Sequence, residues 1–193
     1  ENTIVIFSSD NGGDIPLNPE APENVAIKYG LKINGDLRGD KHTIFEGGTN
    51  VPLIVKWPGK IDQHAVSEDL INLVDIFATV SDIIGNPLSN KTDGVSYYPS
   101  LIGKKQKVHD YLYWEFPAYG GQQAIRIDKW KGIKRDLLKG SADLQLYDLS
   151  KDPKELNNLA INYPDLVDKM EKLLKEAHTK ATIQRFNIPV LDQ

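Results

Sequence analysis

The sequence predicts an α/β fold: part of a mostly parallel sheet with flanking helices, followed by a small antiparallel sheet with a C-terminal helix. Two apolar runs, TIVIF (3–7) and VPLIVKW (51–57), lack polar alternation, which is typical of strands covered on both faces. Three later runs with aromatic and alternating residues, separated by Gly-containing turns, favour antiparallel pairing. An apolar stripe at helical spacing near the C terminus predicts the last helix.

The first predicted strand, residues 3–7, starts almost at the beginning of the chain. A strand covered on both faces needs neighbours on both sides, and no upstream residues are here to supply them. We therefore expect the chain to be the C-terminal part of a longer protein. A long connection rich in Gly, Asn, Asp and Pro leads to the second strand, 51–57, and such connections are more often functional than accidental.

The stretch after the second strand predicts a helix over residues 75–84. Asp75 is the expected N-cap and Gly85 the C-terminal stop. Apolar residues recur between them at helical spacing: Ile76, Phe77, Val80, Ile83 and Ile84.

The second half of the chain changes character. Strand-like runs occupy 109–116, 123–134 and 144–150, and a helix begins near Pro164, a residue favoured in the first helical turn. The apolar stripe of that helix consists of Leu166, Met170, Leu173, Leu174 and Ala177. We therefore predict two domains, the C-terminal part of an α/β core over 1–105 and a smaller sheet-plus-helix subdomain over 106–193.

Composition narrows the possible functions. The chain has 193 residues, 40% of them hydrophobic, which is ordinary for a globular protein. It has no cysteine, so thiol chemistry and Cys-ligated metals are excluded within it. A net charge of −4 argues against general affinity for nucleic acid. No apolar run reaches the roughly 18–20 residues of a membrane span.

Asp10 and Asn11 directly follow the first predicted strand, in the sequence SSDNGG (8–13). Ligands of open α/β sheets bind at the carboxyl ends of strands. Carboxylate and amide oxygens are hard ligands that suit Ca²⁺ or Mg²⁺. The same tetrapeptide, Asp-Asn-Gly-Gly, is also good turn chemistry, so these residues alone leave both interpretations open.

A second candidate segment is LRGDKHTIFEGGTNVPLIVKWPG (37–59). Its glycines let the backbone turn sharply around Lys41 and Glu46, just before a predicted strand. A lysine held beside a divalent cation forms an anion-binding corner for a tetrahedral oxyanion. The alternative is that Lys41 is a solvated surface lysine, and its charge alone does not decide between the two.

These segments together resemble the C-terminal half of the type I, formylglycine-dependent sulfatases of the alkaline phosphatase superfamily. That family has a strand ending in (S/T)-D-N-G, followed by R-G-x-K-x-x-x-x-E-G-G-x-R-x-P. Three later stretches agree with it in order: LVDIFATVSDIIG (73–85), DGVSYYPSLIG (93–103) and LYDLSKDPKELNNLA (146–160). The resemblance covers nearly the whole chain.

The resemblance implies roles for individual residues. Asp10 and Asn11 match two ligands of the family's Ca²⁺, for which Mg²⁺ is the alternative. Lys41 matches the lysine that touches the substrate's sulfate. Glu46 with the two glycines after it matches the turn that positions this lysine.

The resemblance also has departures. The formylglycine nucleophile, made from Cys or Ser in a C/S-x-P-x-R motif, is expected in a missing N-terminal portion, which would be this chain's partner. Without it we expect the fragment to be inactive. Asn50 stands where the family usually has arginine, which puts the usual salt bridge there in doubt.

The expected function is hydrolysis of sulfate esters, with a sulfated small molecule or glycan as substrate. The alternatives are a phosphomonoester or phosphonate hydrolase of the same superfamily, and a fragment that binds sulfated glycans without cleaving them. By resemblance, the location would be periplasmic, extracellular or lysosomal.

Four further side chains are weaker candidates. His42 follows Lys41 directly and is placed to protonate the leaving-group oxygen, although a lone histidine is more often a local hydrogen-bonding residue. Glu115, Gln122 and Gln123 lie in WEFPAYGGQQAIR (114–126), which resembles a loop that leans over the site in carbohydrate sulfatases. They are candidates for binding sugar hydroxyls, and ordinary strand and turn polarity explains them equally well.

Overall fold

The computed structural model describes residues 2–86, 88, 92–141 and 143–192. The chain divides into two compact units built from non-contiguous segments. One unit contains the segments up to Asp10 and from Pro52 to Asp110, and the other contains Asn11–Val51 and Tyr111–Gln193. The predicted domain division after residue 105 stays a prediction, because this grouping does not test domains of a longer protein.

The described helices and strands follow one another in mixed order. In the first unit they are β1 (Val5–Ser8), β2 (Leu53–Lys56), α3 (Asp75–Ile83) and α4 (Tyr98–Leu101). In the second unit they are α1 (Pro22–Lys28), α2 (Glu46–Thr49), β3 (Leu112–Phe116), β4 (Gln122–Ile127), β5 (Trp130–Lys134), β6 (Gln145–Asp148) and α5 (Pro164–Ala177). The predicted mixed α/β architecture is confirmed.

The first unit contains a two-stranded antiparallel sheet, in which Val5 of β1 pairs with Lys56 of β2. Among the residues that the structure describes both sheets are antiparallel, so the parallel part of the predicted sheet is not found in them. The expectation that both faces of β1 are covered is not met in the described residues, because Val5 and Phe7, which share one face of β1, are 53% and 60% exposed. The apolar composition of these segments therefore predicted correctly that they form strands. It did not predict that their side chains are exposed in the described residues.

Helix α3 corrects the predicted N-cap. Asp75 is the first helical residue rather than the cap, and its carboxylate is fully buried. The carboxylate accepts hydrogen bonds from the backbone N–H groups of Asn72 and Val95, both at 2.7 Å, and lies 2.9 Å from His109 Nε2. It therefore joins the loops around the helix start instead of satisfying the first helical turn.

The second unit is built on a four-stranded antiparallel sheet in the order β3-β4-β5-β6. The predicted run 123–134 is two strands, because Ile127 pairs with Trp130 across a tight two-residue turn. Asp128 in that turn has a φ of 52°, a left-handed conformation that aspartate tolerates better than most residues. The sheet therefore has one strand more than the sequence predicted.

Alternation along the strands gives this sheet two apolar faces. On one face Ile125 packs with Met170 and Leu174 of α5, whose predicted start at Pro164 is confirmed. On the other face Ala124 and Ile133 pack under Ile44 and Phe45, just before α2. The segment that carries Lys41 is thereby held against the sheet.

Among the described residues, no helix is long and apolar enough to cross a membrane.

Candidate functional site

The turn that follows β1 is bonded to the segment around Lys41 through backbone groups. The N–H of Gly12 donates to the carbonyl of Gly48 at 2.9 Å, and the N–H of Lys41 donates to the carbonyl of Gly13 at 3.2 Å. Asn34 adds a side-chain bridge, because its Oδ1 accepts from Gly13 N–H at 2.7 Å. Two motifs that lie far apart in sequence are therefore in direct contact within the second unit.

Asp10 and Asn11, the predicted metal ligands, lie where this turn begins. Asp10 is exposed and Asn11 is half-buried, with its amide Nδ2 donating to the carbonyl of Gly12 at 2.8 Å. The donor set fits a hard cation, because it consists of a carboxylate and an amide oxygen. In the described part of the chain, no group of three or more His, Asp or Glu side chains is placed to hold a metal ion. Each residue offers an oxygen of the kind that fills the six to eight positions around Ca²⁺, and their role as metal ligands stays a prediction.

Lys41 lies in a tight turn formed by its neighbours. The N–H of Thr43 donates to the carbonyl of Asp40 at 2.9 Å, and Thr43 Oγ1 accepts from the N–H of Asp40 at 3.1 Å. The carboxylate of Asp40 also accepts from the N–H of His42 at 3.0 Å. The backbone of Lys41 is therefore fixed while its side chain is exposed.

Helix α2 approaches this turn so closely that it needs glycine. The N–H of Gly47 donates to the carbonyl of Arg38 at 2.7 Å. A Cβ added at Gly48 would lie 2.0 Å from the carbonyl oxygen of Thr43, and one added at Gly12 would lie 1.8 Å from the carbonyl oxygen of Gly47. The two glycines after Glu46 are required because they let backbone segments touch.

His42 is held on three sides. Its Nε2 lies 3.1 Å from Asp14 Oδ1, and its ring stacks on that of Tyr119 with centroids 4.5 Å apart. Its backbone carbonyl accepts a hydrogen bond from Gln122 Nε2 at 2.9 Å. The imidazole is therefore held in one orientation beside a carboxylate. Its catalytic role stays a prediction.

The other three weak candidates are committed to contacts inside the protein. Gln122 and Gln123 are almost fully buried, and Gln123 Nε2 donates to the hydroxyl of Tyr113 at 2.9 Å. Glu115 accepts from that hydroxyl and lies 2.7 Å from His178 Nδ1. Substrate binding by these side chains stays a prediction, and their contacts favour a role in holding the sheet and its neighbours together.

A buried ion cluster connects the start of α2 to strand β5 of the antiparallel sheet. Lys131 of β5 is fully buried, and its Nζ lies 2.7 Å from Glu46 Oε1 and 3.1 Å from Glu155 Oε1. Arg126 Nη1 lies 3.7 Å from Glu46 Oε2. Burial raises the pKa of Glu155, and the nearby Lys131 ammonium opposes that rise.

Four residues of this region were missed in the sequence: Asp14, Tyr119, Lys131 and Glu155. Asp14 directly follows DNGG and was overlooked as a further polar residue of the same turn. Lys131 sits between an aromatic residue and a glycine in β5, where lysine ordinarily faces solvent. No local sequence signal marks it as buried, because its partners lie far away in the chain.

Comparison with known proteins identifies the family. The model of the C-terminal domain of N-sulphoglucosamine sulphohydrolase matches residues 38–180, which is most of the chain. The chain belongs to this sulfatase family. The match includes the Lys41 turn, the four-stranded sheet and α5.

Two curated relatives illustrate the similarity. The chain is 31% identical over 195 residues to an N-acetylgalactosamine-6-O-sulfatase of Bacteroides thetaiotaomicron, covering 93% of this chain and 37% of that protein. It is 33% identical over 184 residues to human arylsulfatase A, covering 82% of this chain and 34% of that protein. The chain thus spans little more than a third of the length of these relatives.

Solved structures agree with this assignment. One match is a structure connected with the metabolism of multiple glycosaminoglycans by Bacteroides thetaiotaomicron. It has a TM-score of 0.74 and 30% sequence identity, and the alignment covers 90% of this chain and 38% of that chain. A phosphonate monoester hydrolase of Agrobacterium radiobacter matches with a TM-score of 0.56 and 29% identity, covering 68% of this chain and 30% of that one. The fold is therefore shared by sulfatases and by at least one phosphonate hydrolase.

Proposed function

We propose that the full-length protein containing this chain hydrolyses sulfate esters of carbohydrates. The observation that carries this proposal is the contact between the turn after β1 and the fixed backbone of Lys41, through the bond from Lys41 N–H to the carbonyl of Gly13. The sulfatase names of the curated relatives support it, and one of them acts on an N-acetylgalactosamine 6-sulfate by name.

Each matched residue has a chemical task in this proposal. Lys41 would bind the sulfate oxygens and stabilise the negative charge that develops as the ester bond breaks. Asp10 and Asn11 would hold Ca²⁺, or Mg²⁺ in its place, as part of a ligand set completed outside this chain. When bound, the cation would polarise the sulfate ester as a Lewis acid. The nucleophile, a formylglycine by family resemblance, would come from the N-terminal portion of the protein.

Sulfate release by the full-length enzyme tests the role of Lys41. Lys41→Ala should lower kcat/KM about 10²–10³-fold, the usual effect of removing one group that stabilises an oxyanion. The matched control is Lys28→Ala, an exposed lysine in the last turn of α1, which should leave turnover unchanged. Near-normal turnover of Lys41→Ala would remove this residue from the mechanism.

A second candidate is hydrolysis of phosphate or phosphonate esters on the same scaffold. The observation that favours it is the 29% identity to the phosphonate monoester hydrolase. The ratio of kcat/KM values for a sulfate ester and a phosphonate ester with the same leaving group decides between the two. A ratio far above one supports the sulfatase, and a ratio far below one supports the alternative.

A third candidate is binding of sulfated glycans without cleavage. It predicts saturable binding of a sulfated oligosaccharide with no release of sulfate from any ester. The sulfatase proposal predicts that binding and sulfate release occur together in the full-length protein.

We propose a periplasmic, extracellular or lysosomal location by resemblance to the family.

A further inference from the structure

Glu155 has an unusual combination of conformation and burial. It lies in the loop after β6, its φ is 52°, and its side chain is fully buried. A left-handed conformation is unfavourable for a residue with a Cβ, and a buried carboxylate loses its hydration. Strained and buried charged residues persist only where their surroundings compensate for the cost. The contacts of Glu155 therefore indicate its role.

Those contacts reach both ends of the segment that carries Lys41. Glu155 Oε2 accepts a hydrogen bond from the N–H of Glu46 at 2.7 Å, on the C-terminal side of Lys41. The backbone carbonyl of Glu155 accepts from Arg38 Nη1 at 2.6 Å, on the N-terminal side. Arg38 and α2 are also joined directly, through the bond from Gly47 N–H to the Arg38 carbonyl. One residue thus fixes the base of a closed loop.

Lys131 connects this base to the sheet. Its ammonium lies between the carboxylates of Glu46 and Glu155, at 2.7 and 3.1 Å, and neither carboxylate is exposed. Lys131 belongs to β5, which is paired on both sides, with β4 and with β6. The position of the loop base is therefore coupled to an inner strand, and removing one member of the cluster would leave a buried charge without its partner.

We propose that Glu155 and Lys131 are positioning residues for Lys41, forming a clamp at the base of the segment 38–46. The inference rests on the proposed function, because positioning matters only if Lys41 acts on a substrate. Glu155 and Lys131 do not themselves touch the substrate in this proposal. They act by holding the two ends of the Lys41 segment at a fixed place on the sheet, so that the exposed lysine side chain starts from a fixed backbone.

A merely structural role for the cluster would predict loss of stability without a specific loss of activity. The chain offers a matched control in Lys134, which is also a largely buried lysine of β5 and pairs with Glu171 of α5. Lys134→Met and Lys131→Met therefore remove the same charge from the same strand. Only Lys131 contacts the base of the Lys41 segment among the ion pairs that the structure describes for these two lysines.

The experiment compares Glu155→Ala, Glu155→Gln, Lys131→Met and Lys134→Met in the full-length enzyme. Misplacing a group that stabilises the transition state by about 1 Å can cost about 10²-fold. We expect Glu155→Ala and Lys131→Met to lower kcat/KM at least about tenfold, and Lys134→Met less than about twofold. Lys134→Met should also lose less in Tm, because its partner Glu171 is 37% exposed whereas both carboxylate partners of Lys131 are buried. Glu155→Gln keeps an oxygen that accepts from Glu46 N–H, so it should recover part of the loss.

A double-mutant cycle separates positioning from general damage. If Glu155 acts through Lys41, then Glu155→Ala should cause little further loss of kcat/KM when Lys41 is already alanine. An equal loss in both backgrounds would overturn the proposal. So would a Lys134→Met enzyme that loses as much activity as Lys131→Met.

Hydrogen exchange distinguishes failure of the clamp from failure of the proposed function. The amides of Gly47 and Gly48 should exchange faster in Glu155→Ala and in the milder Glu155→Gln, and not in Lys134→Met. This readout is independent of activity. If the wild-type enzyme releases no sulfate but the exchange pattern holds, the proposed function is wrong and the clamp stands as a structural feature. If the exchange of these amides is the same in all variants, the clamp is wrong.

Discussion

At the scale of single residues, His42 shows how neighbours prepare a side chain for chemistry. Asp14 lies 3.1 Å from its Nε2, and the ring of Tyr119 stacks on the imidazole at 4.5 Å. Stacking on the tyrosine restricts rotation of the imidazole and keeps its Nε2 beside the carboxylate. The ring is therefore held in one orientation.

The role of His42 as an acid predicts a dependence on the leaving group. An acid helps a poor leaving group, such as a sugar hydroxyl, much more than a good one such as 4-nitrophenol. His42→Gln in the full-length enzyme should therefore lower kcat for a sugar sulfate about 10²-fold and barely change kcat for 4-nitrophenyl sulfate. Tyr119→Phe, which keeps an aromatic ring over the imidazole, is the control. An equal loss with both substrates would show that His42 is structural.

Sequence alone predicts residue roles unevenly, for a physical reason. The residues around Lys41 leave a solvated surface lysine open, and Lys41 is the leading candidate because its glycine-flanked segment resembles a family motif that is local in sequence. Gln122 and Gln123 are candidates for binding sugar hydroxyls for which ordinary strand polarity is an equally good explanation, and in the structure they are buried with hydrogen bonds to His42 and Tyr113. A buried glutamine satisfied by distant partners has the same local sequence as an exposed one, so its environment only follows from the fold.

At the scale of elements, the antiparallel sheet of the second unit is the frame for the candidate site. One face packs on α5 through Met170 and Leu174, and the other packs under Ile44 and Phe45. Strand alternation predicted the sheet and helical spacing predicted α5. The turn between β4 and β5 was missed because Asp128-Lys129 is not among the strong hairpin signals such as Asn-Gly.

The close approach of α2 to the Lys41 turn predicts the effect of filling it. In Gly48→Ala the new Cβ would lie 2.0 Å from the carbonyl oxygen of Thr43, so the backbone must move. We expect a loss of about 1–3 kcal/mol in the free energy of unfolding, together with loss of sulfate release. Chemical denaturation and turnover of the full-length enzyme measure both.

A glycine outside this contact is the control for Gly48. Gly140 has a φ of 82°, a left-handed conformation that alanine disfavours, but a Cβ added there meets no atom of the described residues within 4 Å. Gly140→Ala should lose about 1 kcal/mol from strain and keep its turnover. Unchanged turnover in Gly48→Ala would mean that the close approach does not position the lysine.

His178 joins three elements of this unit. Its Nδ1 lies 2.7 Å from Glu115 of β3, and its Nε2 lies 3.2 Å from Asp192 near the C terminus, while the residue itself directly follows α5. Burial lowers the pKa of His178, but the hydrogen bonds to the two carboxylates outweigh that effect and raise the pKa above 6.5.

The raised pKa of His178 predicts a pH dependence with a definite sign. The folded state binds the proton more tightly than the unfolded state, so the stabilisation is complete below pH 6.5 and is lost as pH rises through the folded pKa. The free energy of unfolding should therefore fall from pH 6 towards pH 9, and His178→Gln should remove this part of the dependence. Urea unfolding across that range measures it. A stabilisation by His178 that grows with pH would contradict the assigned contacts.

At the scale of the whole molecule, the order of elements was predictable and their grouping was not. Residues 11–51 lie between two strands of the first unit in sequence but belong to the second unit with the antiparallel sheet. Local patterns identify strands and helices one by one. Which segments pack together depends on contacts such as Glu46 with Lys131, which are distant in sequence and carry no local signal.

The proposed cation site has a consequence for the stability of the full-length protein. A cation that binds only the folded state raises the free energy of unfolding, by about 2.7 kcal/mol at a concentration 100 times its Kd. Calcium should therefore raise Tm of the wild type, and Asp10→Asn should weaken this shift because it removes a ligand charge. Asp62→Asn, a change of an exposed aspartate in the same unit, should leave the calcium shift in Tm unchanged.

The effect is measured by Tm with and without calcium, together with the metal content of the purified protein. An equal calcium shift in wild type and Asp10→Asn would remove Asp10 from the ligand set, because neutralising a carboxylate that coordinates a divalent cation lowers the affinity for that cation.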